Sequence, residues 1–234
     1  MTRKATGPRA RGFERAASAL AAVGARFYAR GWVFGTSGNF STVVSRRPLR
    51  LAITPSGAHK GTIAPEAILH IDGRARVRGA SAGRSSAETL LHLEVVRARQ
   101  AGAVLHTHSV WSTMLSGQHE QAGGVAIEGY EMLKGLAGVR SHEHRGWIPI
   151  VANDQDMTRL ARTVRKALRQ FPEAHAFLLA RHGLYTWGRT LAEAERHVEI
   201  LEFLFEVHGR HLGPWDRGTS EPRDPGTTRI KSWL

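Results

Sequence analysis

The most constraining feature of this chain lies at residues 101–109, where an apolar run leads into His106 and His108, separated by one residue. In an extended strand, residues two apart point to the same face and lie roughly 7 Å apart. Two imidazoles with that spacing can bind one metal ion, because a zinc–nitrogen bond is about 2.0–2.1 Å long. A further histidine, His182, also follows an apolar run. We therefore predict that His106, His108 and His182 bind one divalent metal ion.

Composition limits the chemistry of such a site. The chain has no cysteine, which excludes disulfides and thiolate ligands, so a metal ion must be bound through nitrogen and oxygen. Imidazole accepts zinc, iron, manganese or cobalt, and the residues alone leave that choice open. The 234 residues contain no apolar run long enough to span a membrane and no secretory signal. We therefore expect a cytoplasmic protein without a membrane partner.

The formal net charge of +13 allows two interpretations. A nucleic-acid partner is one of them, and steeply salt-dependent binding to duplex DNA would support it. However, the arginines are scattered along the whole chain, and no basic stripe is interleaved with aromatic residues that would stack on bases. We therefore expect no nucleic-acid partner. A basic surface that attracts a small anionic substrate accounts for the charge equally well.

Two loops rich in glycine and small polar residues each adjoin a predicted strand. Residues 33–41 include Asn39, and residues 54–57 include Ser56 and Gly57. Glycine lets the backbone approach a ligand closely, so the two loops together are able to surround a phosphate. The alternative is an ordinary tight turn before a strand, and a glycine–serine turn alone does not decide between the two.

Two glutamates are candidates for acid–base chemistry. Glu88 stands three residues after Ser85 and matches a capping box, but it also precedes a predicted helix whose free N–H groups can face an anion. Glu131 lies in a short helical segment, where most glutamates are simply exposed. A second pair, His142 and His144, lies in a polar loop with no strand to orient it, so we do not predict it as a metal site.

The order of predicted elements indicates one α/β domain. Helical and strand patterns alternate from residue 12 to residue 209 without a repeat or an internal linker. This order favours a mostly antiparallel central β-sheet flanked by helices. Residues 1–11 form a basic segment that we expect to be disordered, and residues 210–234 form a second tail rich in proline and glycine.

Several of these segments, in this order, resemble the class II aldolase and adducin-head family, over residues 12–209. The motifs are Gly38-Asn39-Phe40-Ser41, Thr54-Pro55-Ser56-Gly57, Ser86-Ala87-Glu88-Thr89, His106-Thr107-His108-Ser109 and Arg181-His182-Gly183. The resemblance implies a three-layer α/β/α domain, commonly assembled as a homotetramer with active sites near subunit contacts. It also implies one zinc ion per subunit, bound by His106, His108 and His182. The substrate phosphate is then expected at Asn39, Ser56, Gly57 and Ser86.

Within the family, residues 86–92, 129–136 and 182–188 look most like a branch of hydro-lyases in methionine salvage. The implied substrate is a 2-ketose 1-phosphate with a methylthio group at C5, which loses water between C3 and C4. In that branch Glu131 is the expected acid–base residue and Glu88 the second choice. Aldolases of the family often have Ser-Ser-Glu where this chain has Ser86-Ala87-Glu88, so one phosphate-binding hydroxyl is missing here.

Two other activities remain open from the sequence. A zinc aldolase or epimerase acting on fuculose or ribulose phosphates would use the same metal and phosphate residues, and Glu88 would be its acid–base residue. A non-catalytic scaffold similar to the adducin head would share the fold without chemistry. Retention of all three histidines argues against the scaffold.

Overall fold

Alternating and continuous apolar runs build the strands of one central sheet. The computed structural model describes residues 8–79 and 83–211. Within these ranges the sheet has eight strands in the order β3-β2-β1-β4-β8-β7-β6-β5. The β6–β7 pair is parallel and the other described pairs are antiparallel, which confirms the expected mostly antiparallel sheet. The strands are β1 (Asn39–Arg46), β2 (Leu49–Ile53), β3 (Leu69–Asp72), β4 (Ala103–Thr107), β5 (Gly124–Ile127), β6 (Gly146–Val151), β7 (Ala176–Leu179) and β8 (Gly183–Gly188).

Helices cover both faces of this sheet. Helices α2 and α4 pack on the face that carries Val104 and Phe177. On the opposite face, α1 and α5 pack against Leu105, and α3 and α5 pack against Leu184. The expected three-layer α/β/α arrangement is therefore confirmed. The helices are α1 (Pro8–Ala29), α2 (Thr89–Arg99), α3 (Val110–Gln118), α4 (Met157–Gln170) and α5 (Leu191–His211).

The ends of the domain differ slightly from the expected ones. Helix α1 begins at Pro8, so residues 8–11 belong to the helix and not to a tail. Helix α5 continues to His211, two residues beyond the expected end. The remaining parts of the two expected tails, residues 1–7 and 212–234, lie outside the described residues. No helix in the described ranges combines the length and apolar character needed to cross a lipid bilayer.

The alternation of side chains along β4 determines which residues share a face. Val104 and His106 point toward α2 and α4, whereas Leu105 points toward α1 and α5. Thr107 also points toward α5, since its hydroxyl donates to Glu202 Oε1 at 2.8 Å. The two-residue period therefore places His106 and the following His108 on the face that carries α2.

Helix α1 approaches the loop after β2 so closely that one of its turns requires glycine. A Cβ atom added to Gly24 would lie 2.5 Å from the backbone oxygen of Lys60, in the loop after β2. Gly12, in the same helix, has nothing within 4 Å of the corresponding position. Alanine substitutions at these two glycines therefore distinguish the effect of helix propensity on stability from the effect of close packing.

We predict that Gly24→Ala lowers the free energy of unfolding by about 1–3 kcal/mol, because the backbone of the facing loop must shift. Gly12→Ala is the matched control and should raise the same free energy by about 0.5–1 kcal/mol, since alanine favours the helix. Urea titration of both variants at one protein concentration measures the difference. Equal effects of the two substitutions would contradict the close packing of α1.

Candidate active site

The three predicted metal ligands converge on one point. His106 lies one residue before the end of β4, His108 follows this strand, and His182 lies in the turn between β7 and β8. The Nε2 atoms of His106 and His108 are 2.8 Å apart, and those of His108 and His182 are 3.2 Å apart. One ligand atom from each histidine lies within 4.8 Å of the other two. The register of the sheet explains the convergence, since His182 immediately precedes β8, the strand paired with β4.

The surroundings of these histidines suit a divalent cation. The Nδ1 atom of His106 is 2.9 Å from the backbone oxygen of Leu184, which makes it the N–H donor and leaves the Nε2 lone pair for a metal. Burial lowers the pKa of His106 well below its usual value, lowers that of His108 to about 4 and also lowers that of His182. All three imidazoles are therefore neutral at pH 7, as metal ligands must be. Three nitrogen donors fit zinc and similar divalent ions.

Glu88 brings a carboxylate to this cluster. Its Oε1 atom lies 3.3 Å from His182 Nε2 and 3.8 Å from His106 Nε2. The interpretation of Glu88 as part of a capping box with Ser85 is wrong, because Glu88 is itself the N-cap residue of α2 and its side chain makes no capping hydrogen bond. Its backbone N–H instead bonds to Ser86 Oγ, at 3.2 Å, and its carboxylate turns toward the histidines.

Tyr185 packs against His106 in the core beside the site and was not predicted from the sequence. It pairs with His106 across β4 and β8, and the two rings stack with centroids 3.9 Å apart. Burial, followed by the neighbouring Glu88 carboxylate, raises the pKa of Tyr185 well above its usual value, so the phenol keeps its proton. The sequence pattern that indicates the position of Tyr185 is the alternation of side chains along the strand that begins just after His182.

The residues predicted for phosphate binding lie together beside the histidines. A cavity of about 130 Å³ is lined by Gly38 and Asn39 of the first loop and by Ser56 and Gly57 of the second. Ser86 also lines it, as do Glu88 and His108. Gly38 has a φ of +72°, and a Cβ atom there would lie 2.6 Å from the backbone oxygen of His106, so only glycine fits this approach. The structure thus joins the two loops and the histidine cluster in one cleft.

A buried lysine, which no pattern in the sequence predicted, also lines this cavity. Lys60 is 1% exposed, and its ammonium donates to the backbone oxygens of Thr36, at 2.9 Å, and Ala58, at 2.7 Å. Thr36 belongs to the first loop and Ala58 directly follows the second, so the ammonium links the two segments. Burial lowers the pKa of Lys60 to about 8, which leaves it mostly charged at pH 7. A lysine in a glycine-rich loop usually lies in solvent, so the sequence offered no signal for it.

Glu131, the first choice for acid–base residue, lies away from the cluster within this chain. It begins a short 3₁₀-helix, Glu131–Gly135, and its side chain is 70% exposed. Its carboxylate bonds to Lys134 Nζ at 2.6 Å and lies 3.8 Å from His142 Nδ1. The hydrogen bond from Lys134 lowers the pKa of Glu131. Among the described residues, the possible metal cluster contains neither His142 nor His144.

Comparison with known proteins identifies the class of fold and site. The family model described as the class II aldolase and adducin N-terminal domain matches residues 18–208. The chain belongs to this family, which confirms the resemblance seen in its motifs. The family is metal-dependent, in keeping with the histidine cluster.

Curated relatives narrow the comparison to one kind of enzyme. A protein of Methylococcus capsulatus named methylthioribulose-1-phosphate dehydratase is 45% identical over 202 residues, covering 86% of this chain and 96% of the relative. A protein of Marinobacter nauticus with the same name is 40% identical, covering 83% of this chain and 92% of the relative.

Solved structures share the fold at lower sequence identity. YgbL from Escherichia coli is 27% identical with a TM-score of 0.71, covering 88% of this chain and 92% of that structure. An L-fuculose-1-phosphate aldolase from Thermus thermophilus is also 27% identical with a TM-score of 0.65, covering 87% and 96% of the two chains.

We predict that His106→Ala removes both bound metal and turnover, because the two remaining imidazoles do not form a complete site. The metal content of the purified protein, measured by mass spectrometry, should fall from about one ion per subunit to near zero. His142→Ala is the matched control, since this histidine lies outside the cluster, and it should keep its metal. Retention of metal by His106→Ala with an unchanged fold would contradict the assignment.

Proposed function

We propose that this chain removes water from 5-methylthioribulose 1-phosphate and forms 2,3-diketo-5-methylthiopentyl 1-phosphate, as a zinc-dependent hydro-lyase of methionine salvage. The observation that carries the proposal is the cluster of Glu88 and the histidines beside an anion-sized cleft. The names of relatives at 40–45% identity support the choice of substrate.

His106, His108 and His182 would hold the zinc ion. Three protein ligands leave coordination positions open, as catalytic zinc sites require. A zinc ion bound there supplies Lewis-acid stabilisation of negative charge that develops on a substrate oxygen. The absence of thiolate ligands supports a catalytic site over a closed structural one, because structural zinc sites are usually completed by cysteine.

The cleft beside the cluster would receive the substrate phosphate. Asn39, Ser56 and Ser86 offer short polar side chains, and Gly57 leaves room for the backbone. Lys60 is the one lysine or arginine among the described residues that line this cleft, where it offsets the negative charge of Glu88. The phosphate thus contributes binding energy away from the reacting carbons and can hold C3 and C4 in place.

Dehydration requires a carboxylate that moves protons. The C3–H bond breaks and its proton passes to the carboxylate, the C4–O bond breaks, and the leaving hydroxyl takes a proton and departs as water. The enol that remains takes up a proton at carbon and becomes the diketone. Among the residues that the structure describes, Glu88 is the acid that contacts the histidine cluster.

Glu131 would take part through assembly of the chain into a homotetramer. Its exposed carboxylate can reach a cluster only if that cluster belongs to another copy. Exposed apolar side chains near the cluster support such an assembly, since Phe34 is 59% exposed and Val110 is 57% exposed. Val110 follows His108 by two residues, and the backbone of His108 bonds to Trp32, two residues before Phe34.

A sugar-phosphate aldolase is the second candidate, and the similarity to the Thermus thermophilus aldolase favours it. Incubation of the metal-loaded protein with 5-methylthioribulose 1-phosphate, and separately with L-fuculose 1-phosphate, distinguishes the two activities. We expect the first substrate to lose one water and the second to remain intact. Release of dihydroxyacetone phosphate and an aldehyde from the second, without dehydration of the first, would establish the aldolase instead.

We predict that Glu88→Gln and Glu131→Gln each lower turnover by about 10²–10⁴-fold and leave bound metal unchanged, because each loses a proton-transferring carboxylate. Mixed oligomers of the two variants should recover about a quarter of the sites, by random pairing of subunits. Glu128→Gln is the matched control near Glu131, since its exposed carboxylate contacts Arg145.

The mixed oligomers show whether the two glutamates of one site come from the same chain or from different chains. No recovery on mixing would mean that both carboxylates act from the same chain. Full activity of Glu131→Gln together with an inactive Glu88→Gln would show that Glu88 alone moves the protons.

A further inference from the structure

A buried line of hydrogen bonds runs from Glu88 into the core behind the site. Asn39 Nδ2 donates to Glu88 Oε2, and Asn39 Oδ1 bonds to His92 Nε2. On the other side of the ring, His92 Nδ1 lies 2.7 Å from Ser41 Oγ. His92 and Ser41 are both fully buried, and His92 follows Glu88 by one turn of α2. His92 contacts neither the histidine cluster nor the cleft, so the proposed reaction does not use it directly.

The chemistry of each atom determines the direction of these bonds. The carbonyl oxygen of an asparagine side chain can only accept, so His92 Nε2 must carry the hydrogen. His92 Nδ1 is then an acceptor, and the hydroxyl of Ser41 donates to it. Burial lowers the pKa of His92 to about 3, which keeps the ring neutral with a single N–H. With its single hydrogen on Nε2, the ring of His92 satisfies both partners, and this tautomer requires the oxygen end of Asn39 to face it.

The orientation of the Asn39 amide decides whether the Glu88 carboxylate faces an N–H donor or an oxygen acceptor. With Oδ1 toward His92, the NH₂ group points at the carboxylate, as observed. With the amide reversed, the oxygen of Asn39 would face the oxygen of Glu88, and two acceptors would meet without a hydrogen between them. Asn39 cannot move its side chain to restore the lost donor, because it is 4% exposed and its backbone pairs with that of His106 across the sheet.

We propose that His92 is a positioning residue that fixes the orientation of the Asn39 amide and thereby keeps an N–H donor directed at the Glu88 carboxylate. This inference rests on the proposed function in one respect, namely that Glu88 serves the reaction. The bond to Asn39 holds Oε2 of Glu88, which leaves Oε1 on the side of His182. His92 therefore acts through two other side chains and touches no reacting atom.

Three substitutions of His92 test this role in the metal-loaded protein. Glutamine places its amide nitrogen near the position of Nε2 and should keep turnover close to that of the unchanged protein. Asparagine is shorter, so it keeps a partner for Ser41 but loses the donor to Asn39, and leucine loses both. For asparagine and leucine we expect kcat to fall about 10–100-fold with a smaller change in KM and unchanged metal content. A kcat within about twofold for a folded, metal-loaded His92→Asn would overturn the proposal.

The tautomer of His92 gives a readout that does not depend on activity. Solid-state ¹⁵N NMR of protein labelled in its histidines distinguishes the two neutral tautomers, and the His92→Gln spectrum identifies the signal among the 13 histidines. We expect a protonated Nε2 and an unprotonated Nδ1. A protonated Nδ1 would reverse the Asn39 amide and overturn the proposal, even in an active dehydratase. Failure of the unchanged protein to dehydrate its substrate, with the expected tautomer present, would instead remove the proposed function and leave the geometry.

Discussion

The register of three neighbouring strands is the constraint on which the candidate site depends. His106 of β4 pairs with Asn39 of β1 on one side and with Tyr185 of β8 on the other. Paired residues in a sheet point to the same face, so these three side chains form one row beneath α2. A shift of β4 by one residue would turn His106 toward α5 and put Thr107 in its place. The backbone hydrogen bonds of the sheet therefore hold His106, Asn39 and Tyr185 in position before any ligand binds.

Much of this arrangement follows from patterns within the sequence. The spacing of His106 and His108 after an apolar run predicts that both point to one face, and the structure places them there. The order of helices and strands predicts the three-layer fold, because alternating elements have few compact arrangements. His182 is harder to assign from periodicity, but its place just before β8 puts it beside the other two. Patterns that depend on strand period and element order were therefore reliable.

Features that depend on tertiary contacts were not predictable in the same way. Glu88 matches a capping box in sequence, yet its carboxylate bonds to Asn39, 49 residues earlier in the chain. The short strand β5 has only four residues and gave no clear periodic signal. Lys60 is charged and adjoins glycines, which is typical of an exposed loop, although it is buried between two loops. In each case a partner distant in sequence decides the outcome, and local propensity carries no information about that partner.

The close approach of α1 to the loop of Lys60 has a consequence for the motions of the domain. The backbone of Lys60 rests against Gly24, while its ammonium holds the two loops that line the cleft. When α1 separates from this loop, the packing that holds Lys60 beside the cleft is lost. An anion bound in the cleft therefore raises the free energy needed to separate α1. The two events are linked in free energy, so a ligand at one end of the sheet slows hydrogen–deuterium exchange in a helix that it never touches.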